Sequence, residues 1–71
     1  MNTLPRYTYQ LLFANRDGNP EVFEHTTETD ARAHFASFGI EDADIYSAIT
    51  LIEVDWDTGL THTLDTMQFP A

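Results

Sequence analysis

The chain has no cysteine, no lysine and no long apolar run. Without cysteine there is no disulfide framework, thiolate metal site or Cys nucleophile, and the usual staples of small secreted domains are missing. A cytoplasmic location is expected. Without lysine, all positive charge rests on Arg6, Arg16 and Arg32. These are scattered, so there is no basic patch to neutralise phosphates or anionic headgroups, which argues against direct nucleic-acid or membrane binding. The longest apolar run near the N-terminus is Leu11-Leu12-Phe13-Ala14, far short of a signal-peptide core or the roughly 20 residues of a membrane span. The expected protein is soluble and unprocessed.

What is present is acid and aromatic. Twelve Asp and Glu stand against three Arg in 71 residues, for a formal charge of -9, while 42% of the chain is hydrophobic and 13% aromatic. Disordered chains combine high charge with few aromatic and β-branched residues, so this composition describes one folded domain over residues 1–71. A domain of about 60 to 70 residues buries only about 60% of the surface its unfolded chain exposes, which leaves a thin core. The charge serves solubility, and it also attracts basic surfaces, with an association rate that falls as salt rises.

The pattern along the chain predicts an α+β fold, an antiparallel sheet of about four strands with one helix on one face, in ββαββ order. From Tyr7 to Ala14 the residues alternate, Tyr7, Tyr9, Leu11 and Phe13 on one face and Thr8, Gln10, Leu12 and Ala14 on the other, the period of a half-buried strand. Asn15 to Pro20 concentrates turn-forming residues, and Glu21 to Thr26 reads as a return strand at a sheet edge. Thr26 or Thr27 is placed to cap a helix with Glu28 and Asp30 in its first turn. Ala31, His34, Phe35 and Phe38 form its apolar stripe, and Gly39 is expected to end it in a left-handed conformation. Ile45 to Trp56 fits a helical stripe too, but its Ile, Thr, Val and Tyr favour a central strand. Its even positions Tyr46, Ala48, Ile52, Val54 and Trp56 are expected to face the helix, with Glu53 and Asp55 in solvent. Asp57-Thr58-Gly59 supplies a turn, and Leu60 to about Phe69 the last strand.

Catalytic and cofactor signatures fail one by one. Asp55-Trp56-Asp57-Thr58-Gly59 superficially matches the aspartyl-phosphate motif of haloacid dehalogenases, but Gly59 replaces the Thr or Val of that motif and the chain lacks the lysine and length that chemistry needs. The run also fails as an EF-hand loop, with Gly59 at position five and Thr66 at position twelve. His25, His34 and His62 lie on three separate elements without the close spacing of a metal set. Ser37 and Ser47 sit in no nucleophile elbow, and Gly18, Gly39 and Gly59 stand alone, so no phosphate-cradling loop is present. The chain is read as a non-enzyme with no cofactor and no metal.

The acids and one tryptophan remain. Glu53, Asp55 and Asp57 are spaced by two, so on a continued strand their carboxylates would line one face about 6.6 to 6.8 Å apart, a spacing like that of phosphates along a nucleic-acid strand. Glu41, Asp42 and Asp44 form a second cluster, and Glu21, Glu24, Glu28 and Asp30 a third. Trp56, flanked by two aspartates, either closes the rim of the core beside Val54 or anchors a protein interface, where Trp is a frequent hot spot. A compact, acidic chain without lysine or cysteine and with the row Glu53, Asp55 and Asp57 resembles the small anti-CRISPR-type inhibitors that phages and mobile elements make against bacterial defence complexes. Those inhibitors share no common fold, so the resemblance implies only a type of function, occupying a basic nucleic-acid groove as a DNA mimic or blocking an assembly surface.

The expected function is thus a non-enzymatic inhibitor or interaction protein that binds a basic, nucleic-acid-binding protein surface. Glu53, Asp55, Trp56 and Asp57 are the central contact residues, with Glu41, Asp42 and Asp44 beside them. The alternative is a structural or homo-oligomeric domain, a homodimer for instance, whose acidity serves solubility only.

Overall fold

A computed structural model describes residues 5–70 and folds as α+β. Four antiparallel strands, β1 (Tyr7–Asn15), β2 (Pro20–His25), β3 (Tyr46–Asp55) and β4 (Thr61–Gln68), form one sheet in the order β2-β1-β3-β4, with one helix, α1 (Glu28–Ala36), between β2 and β3. The expected ββαββ order and the central place of β3 hold, and the expected edge position of β2 holds with them. Both hairpin turns place a glycine at positive φ, Gly18 at 90° and Gly59 at 77°, where an L side chain is strained. Gly18 N–H donates to Asn15 O, and Gly59 N–H to Asp55 O.

Thr27 caps α1, its hydroxyl accepting from Asp30 N–H at 3.2 Å. Ala31 and Phe35 are buried against Leu11, Phe13, Ile49 and Leu51, with Tyr9, Phe38, Tyr46, Leu64, Met67 and Phe69 packed around them. Fully burying each Leu or Ile contributes about 1.5–3 kcal/mol, so these few side chains carry most of the fold. The helix does not end on a left-handed glycine. Gly39 is extended, at φ -152°, and its N–H donates to the Asp42 carboxylate at the start of a 3₁₀ turn over Ile40–Asp42. The last helical carbonyls are met instead by Ser37 N–H on His34 O at 3.1 Å and Phe38 N–H on Phe35 O at 3.3 Å.

The register corrects the expected facing of β3. Leu11 pairs with Leu51 and Phe13 with Ile49, so the odd residues of β3 lie under the helix, and Ala48, Ile52 and Val54 lie on the opposite face with Thr8, Gln10 and Leu12. Trp56 falls outside the strand on that opposite side. Tyr46 alone among the even positions reaches the helix side, because a bulge between Ala14 and Asn15 shifts the pairing and brings its ring centroid to 5.1 Å from that of Phe13. A second bulge, between Leu51 and Ile52 on the β4 side, turns Leu64 toward the core. Among the described residues no helix packs on the second face of the sheet.

Candidate functional site

The carboxylates expected to act together are separated, and one of them is used internally. Asp55 is the last residue of β3 and only 8% exposed. Its two oxygens accept from Arg6 Nε and Nη2, each at 3.2 Å, and Oδ1 also accepts Asp57 N–H at 2.9 Å. The Arg6 hydrogen bonds hold the Asp55 carboxyl below its usual range despite the opposing effect of burial. Asp55 is therefore not in solvent, and it ties the segment before β1 to the end of β3. Asp57 lies beyond the strand, in the turn, 3.9 Å from Arg6 Nη2 and with its side chain largely exposed. The row of three carboxylates on one strand face does not form, because the strand ends before its third member.

Glu53 is half-buried on the helix side, beside Tyr9. Burial, and next the charge of Glu53, push the Tyr9 phenol up. The register sets His25, Tyr9, Glu53 and His62 in one line across all four strands. Sequence spacing gave no sign of this line, because it exists only once the pairing is fixed. His25 Nε2 and His34 Nδ1 lie 2.9 Å apart, joining β2 to α1. Burial, then the nearby His25, lower the His34 pKa. Among the described residues no group of three or more His, Asp or Glu is arranged to hold a metal ion.

Glu41 and Asp44 are exposed in the connection after α1, and Asp42 is partly engaged by Gly39 N–H. This group precedes the first residue of β3, whereas Glu53, Trp56 and Asp57 stand at its far end. Ten strand residues span about 30 Å, so the two groups mark opposite ends of the molecule and form no single face. Between them the cations are occupied. Arg32 Nε donates to Glu28 at 2.6 Å, Arg16 donates to the carbonyls of Ala43 and Pro70, and Arg6 holds Asp55. Trp56 is 58% exposed, with its indole N–H donating to Thr8 Oγ1 at 2.8 Å, so it does not close the core.

No protein-family model, no curated protein and no solved structure matches the chain.

What the arrangement offers chemically is a negative surface with an exposed tryptophan. Asp57 adjoins Trp56 at one end, with Glu53 on the helix side of the same strand end, and Glu41 and Asp44 present a separate pair of carboxylates at the other. Sequence reasoning reads Glu24 only as a member of the third acidic cluster and does not single out Thr8 and Gln10; the β1–β2 register sets all three near Trp56. Glu24 Oε2 accepts from Thr8 Oγ1 at 3.0 Å and from Gln10 Nε2 at 3.1 Å. Among the described residues no helix is long and apolar enough to cross a membrane.

Proposed function

We propose that the protein is a non-enzymatic inhibitor or interaction protein of the cytoplasm that binds a basic, nucleic-acid-binding protein surface through its carboxylates. One observation carries this reading. Each of the three arginines makes its bonds within the chain, Arg6 and Arg32 to carboxylates and Arg16 to backbone carbonyls, so no arginine side chain is held out toward a partner and the surplus of carboxylates faces outward. Such a surface raises the encounter rate with a positive partner. Trp56 and Asp57 form the central contact, Glu53 adds its charge from the helix side of the same strand end, and Glu41, Asp42 and Asp44 form a second contact about 30 Å away. Asp55 contributes by holding the Trp56 turn in place.

The rival reading, self-association through a sheet edge, has less support. Both edge strands carry features that oppose pairing. β2 has Pro20, Glu21 and Glu24, and β4 has Asp65 and a bulge. Two copies would also bring two charges of -9 together.

The test is capture from a bacterial lysate on the immobilised protein. The expected partner is a nucleic-acid-binding protein that is retained at low salt, released by about 0.5 M salt, where the Debye length falls to a few ångströms, and displaced by added duplex DNA. Capture that neither salt nor DNA reverses would overturn the reading.

A further inference from the structure

The sheet face away from α1 carries a connected polar path at the end nearest the β3–β4 turn. Trp56 N–H donates to Thr8 Oγ1 at 2.8 Å, and the Thr8 hydroxyl donates in turn to Glu24 Oε2 at 3.0 Å. Gln10 Nε2 donates to the same carboxylate oxygen at 3.1 Å. Thr8 is only 5% exposed, so the path fixes both the tilt of the indole and the position of the carboxylate. Both bonds to Glu24 fall on Oε2, and Oε1 takes part in neither. Pro5 and Thr26 complete the walls of an open groove of about 580 Å³ lined mainly by apolar surface. The groove thus joins a half-exposed aromatic plane, one oriented carboxylate and apolar walls, and among the described residues no cation is paired with it: Arg6, Arg16 and Arg32 all bond elsewhere.

We propose that this groove receives an arginine side chain from the partner protein. The inference rests on the reading above that the partner presents a basic surface, and it names the group that enters. The guanidinium stacks on the Trp56 indole and donates to Glu24 Oε1, while its methylenes run along Pro5 and the apolar wall. A guanidinium suits this geometry better than an ammonium, because it is planar, weakly hydrated and able to stack and donate at once. Because Glu24 and Trp56 share the bonds through Thr8, occupancy at the carboxylate is felt at the indole N–H.

Trp56 is the sole tryptophan, so its indole N–H resonance is a single local probe. The full chain is titrated with a short, end-capped peptide holding one arginine and with the same peptide holding citrulline, which keeps the shape and loses the charge. The arginine peptide is expected to shift the indole resonance along a saturable curve and to bind about ten-fold more tightly than the citrulline peptide. Glu24→Gln, which keeps an acceptor for Thr8 and Gln10, is expected to erase that difference. Asp65→Asn, which removes the same charge from exposed β4, is expected to leave it within about two-fold. Equal binding of the two peptides, equal losses in the two variants, or a lysine peptide binding as tightly as the arginine peptide would each overturn the proposal. If the peptide fails while salt-sensitive, DNA-displaced capture persists, the groove is wrong and the acidic reading stands. If the peptide binds while such capture fails, the groove stands without it.

Discussion

The two faces of the one sheet differ in what holds them. Under α1, Leu11, Ile49 and Leu51 are fully buried, and the rings of His34, Phe38 and Tyr46 pack around Phe13. On the other face Val54 is buried, Leu12 and Ile52 are half-buried, Val22 is 59% exposed, and a path of hydrogen bonds runs from Trp56 through Thr8 to Glu24. The first face carries the stability, since it removes apolar surface from water. The second has oriented polar groups and an exposed aromatic, the ingredients of recognition. A thin domain with one helix covers only one face of its sheet, and the uncovered face is then free to serve a partner.

The sharpest way to break this comparison is to truncate two neighbours in β3 that point to opposite faces. Leu51→Ala should cost about 3 kcal/mol, a large share of the stability of so small a domain, measured by chemical denaturation. Ile52→Ala should cost about 1 kcal/mol. A loss at Ile52 equal to that at Leu51 would mean that the second face is covered in solution, and a concentration-dependent mass in light scattering would then identify a second copy.

The Arg6–Asp55 pair comes next, because it ties the segment before β1 to the end of β3 beside the Trp56 turn. The Asp55 carboxyl titrates below its ordinary value when folded, so the unfolded chain binds its proton more readily. The stabilisation is present above the ordinary carboxylate pKa and is lost as pH falls through the lowered folded value. Asp55→Asn should lower the Tm at pH 7 and flatten the fall in Tm between about pH 5 and pH 2. An unchanged acid limb would assign that dependence to other carboxylates.

A smaller effect belongs to the helix side. His34 faces Phe13, Phe23, Phe38 and His25, and its pKa is lowered chiefly by burial. The folded state therefore binds fewer protons than the unfolded one as pH drops below about 6.5. Stability is full above that value and lost as pH falls through the folded pKa. The wild-type Tm should be lower at pH 5.5 than at pH 7.5, and His34→Gln, which keeps a hydrogen-bonding group toward His25 but does not titrate, should shrink the difference. An undiminished difference would place the dependence on other groups.

The element order was legible because each element obeys a local rule: alternation in Tyr7–Ala14, a hydroxyl at Thr27, the stripe Ala31, His34, Phe35 and Phe38, and Gly18 and Gly59 in turns. The facing of β3 was not, because Ile49 and Leu51 compete with Ile52 and Val54 and both parities are apolar. Its register depends on β1 and on a bulge near Tyr46 that no local signal marks. The candidate site was legible only as residue types. Trp56 and the acids stand out in the sequence, but the Arg6–Asp55 pair joins residues 49 apart, and Glu24 reaches Trp56 only through the β1–β2 register. Spacing along the chain placed Asp55 in solvent because it does not register a cation arriving from the distant segment before β1.

The smallest expected change in stability is also the most selective one for function. Asp57 is exposed, 3.9 Å from an arginine already held by Asp55, and an exposed pair of this kind is worth about 0–1 kcal/mol. Asp57→Lys replaces that weak attraction with repulsion of Arg6 but lowers the net charge from -9 to -7, a loss of one negative and a gain of one positive, and so relieves self-repulsion. The Tm should be unchanged or slightly higher, while capture of the basic partner weakens and its salt dependence flattens. The same reversal at Asp65, in the middle of β4 and away from both candidate ends, should change capture far less. If the two reversals weaken capture equally, the partner senses the net charge of the whole chain, and the difference between a structural face and a recognising face no longer accounts for binding.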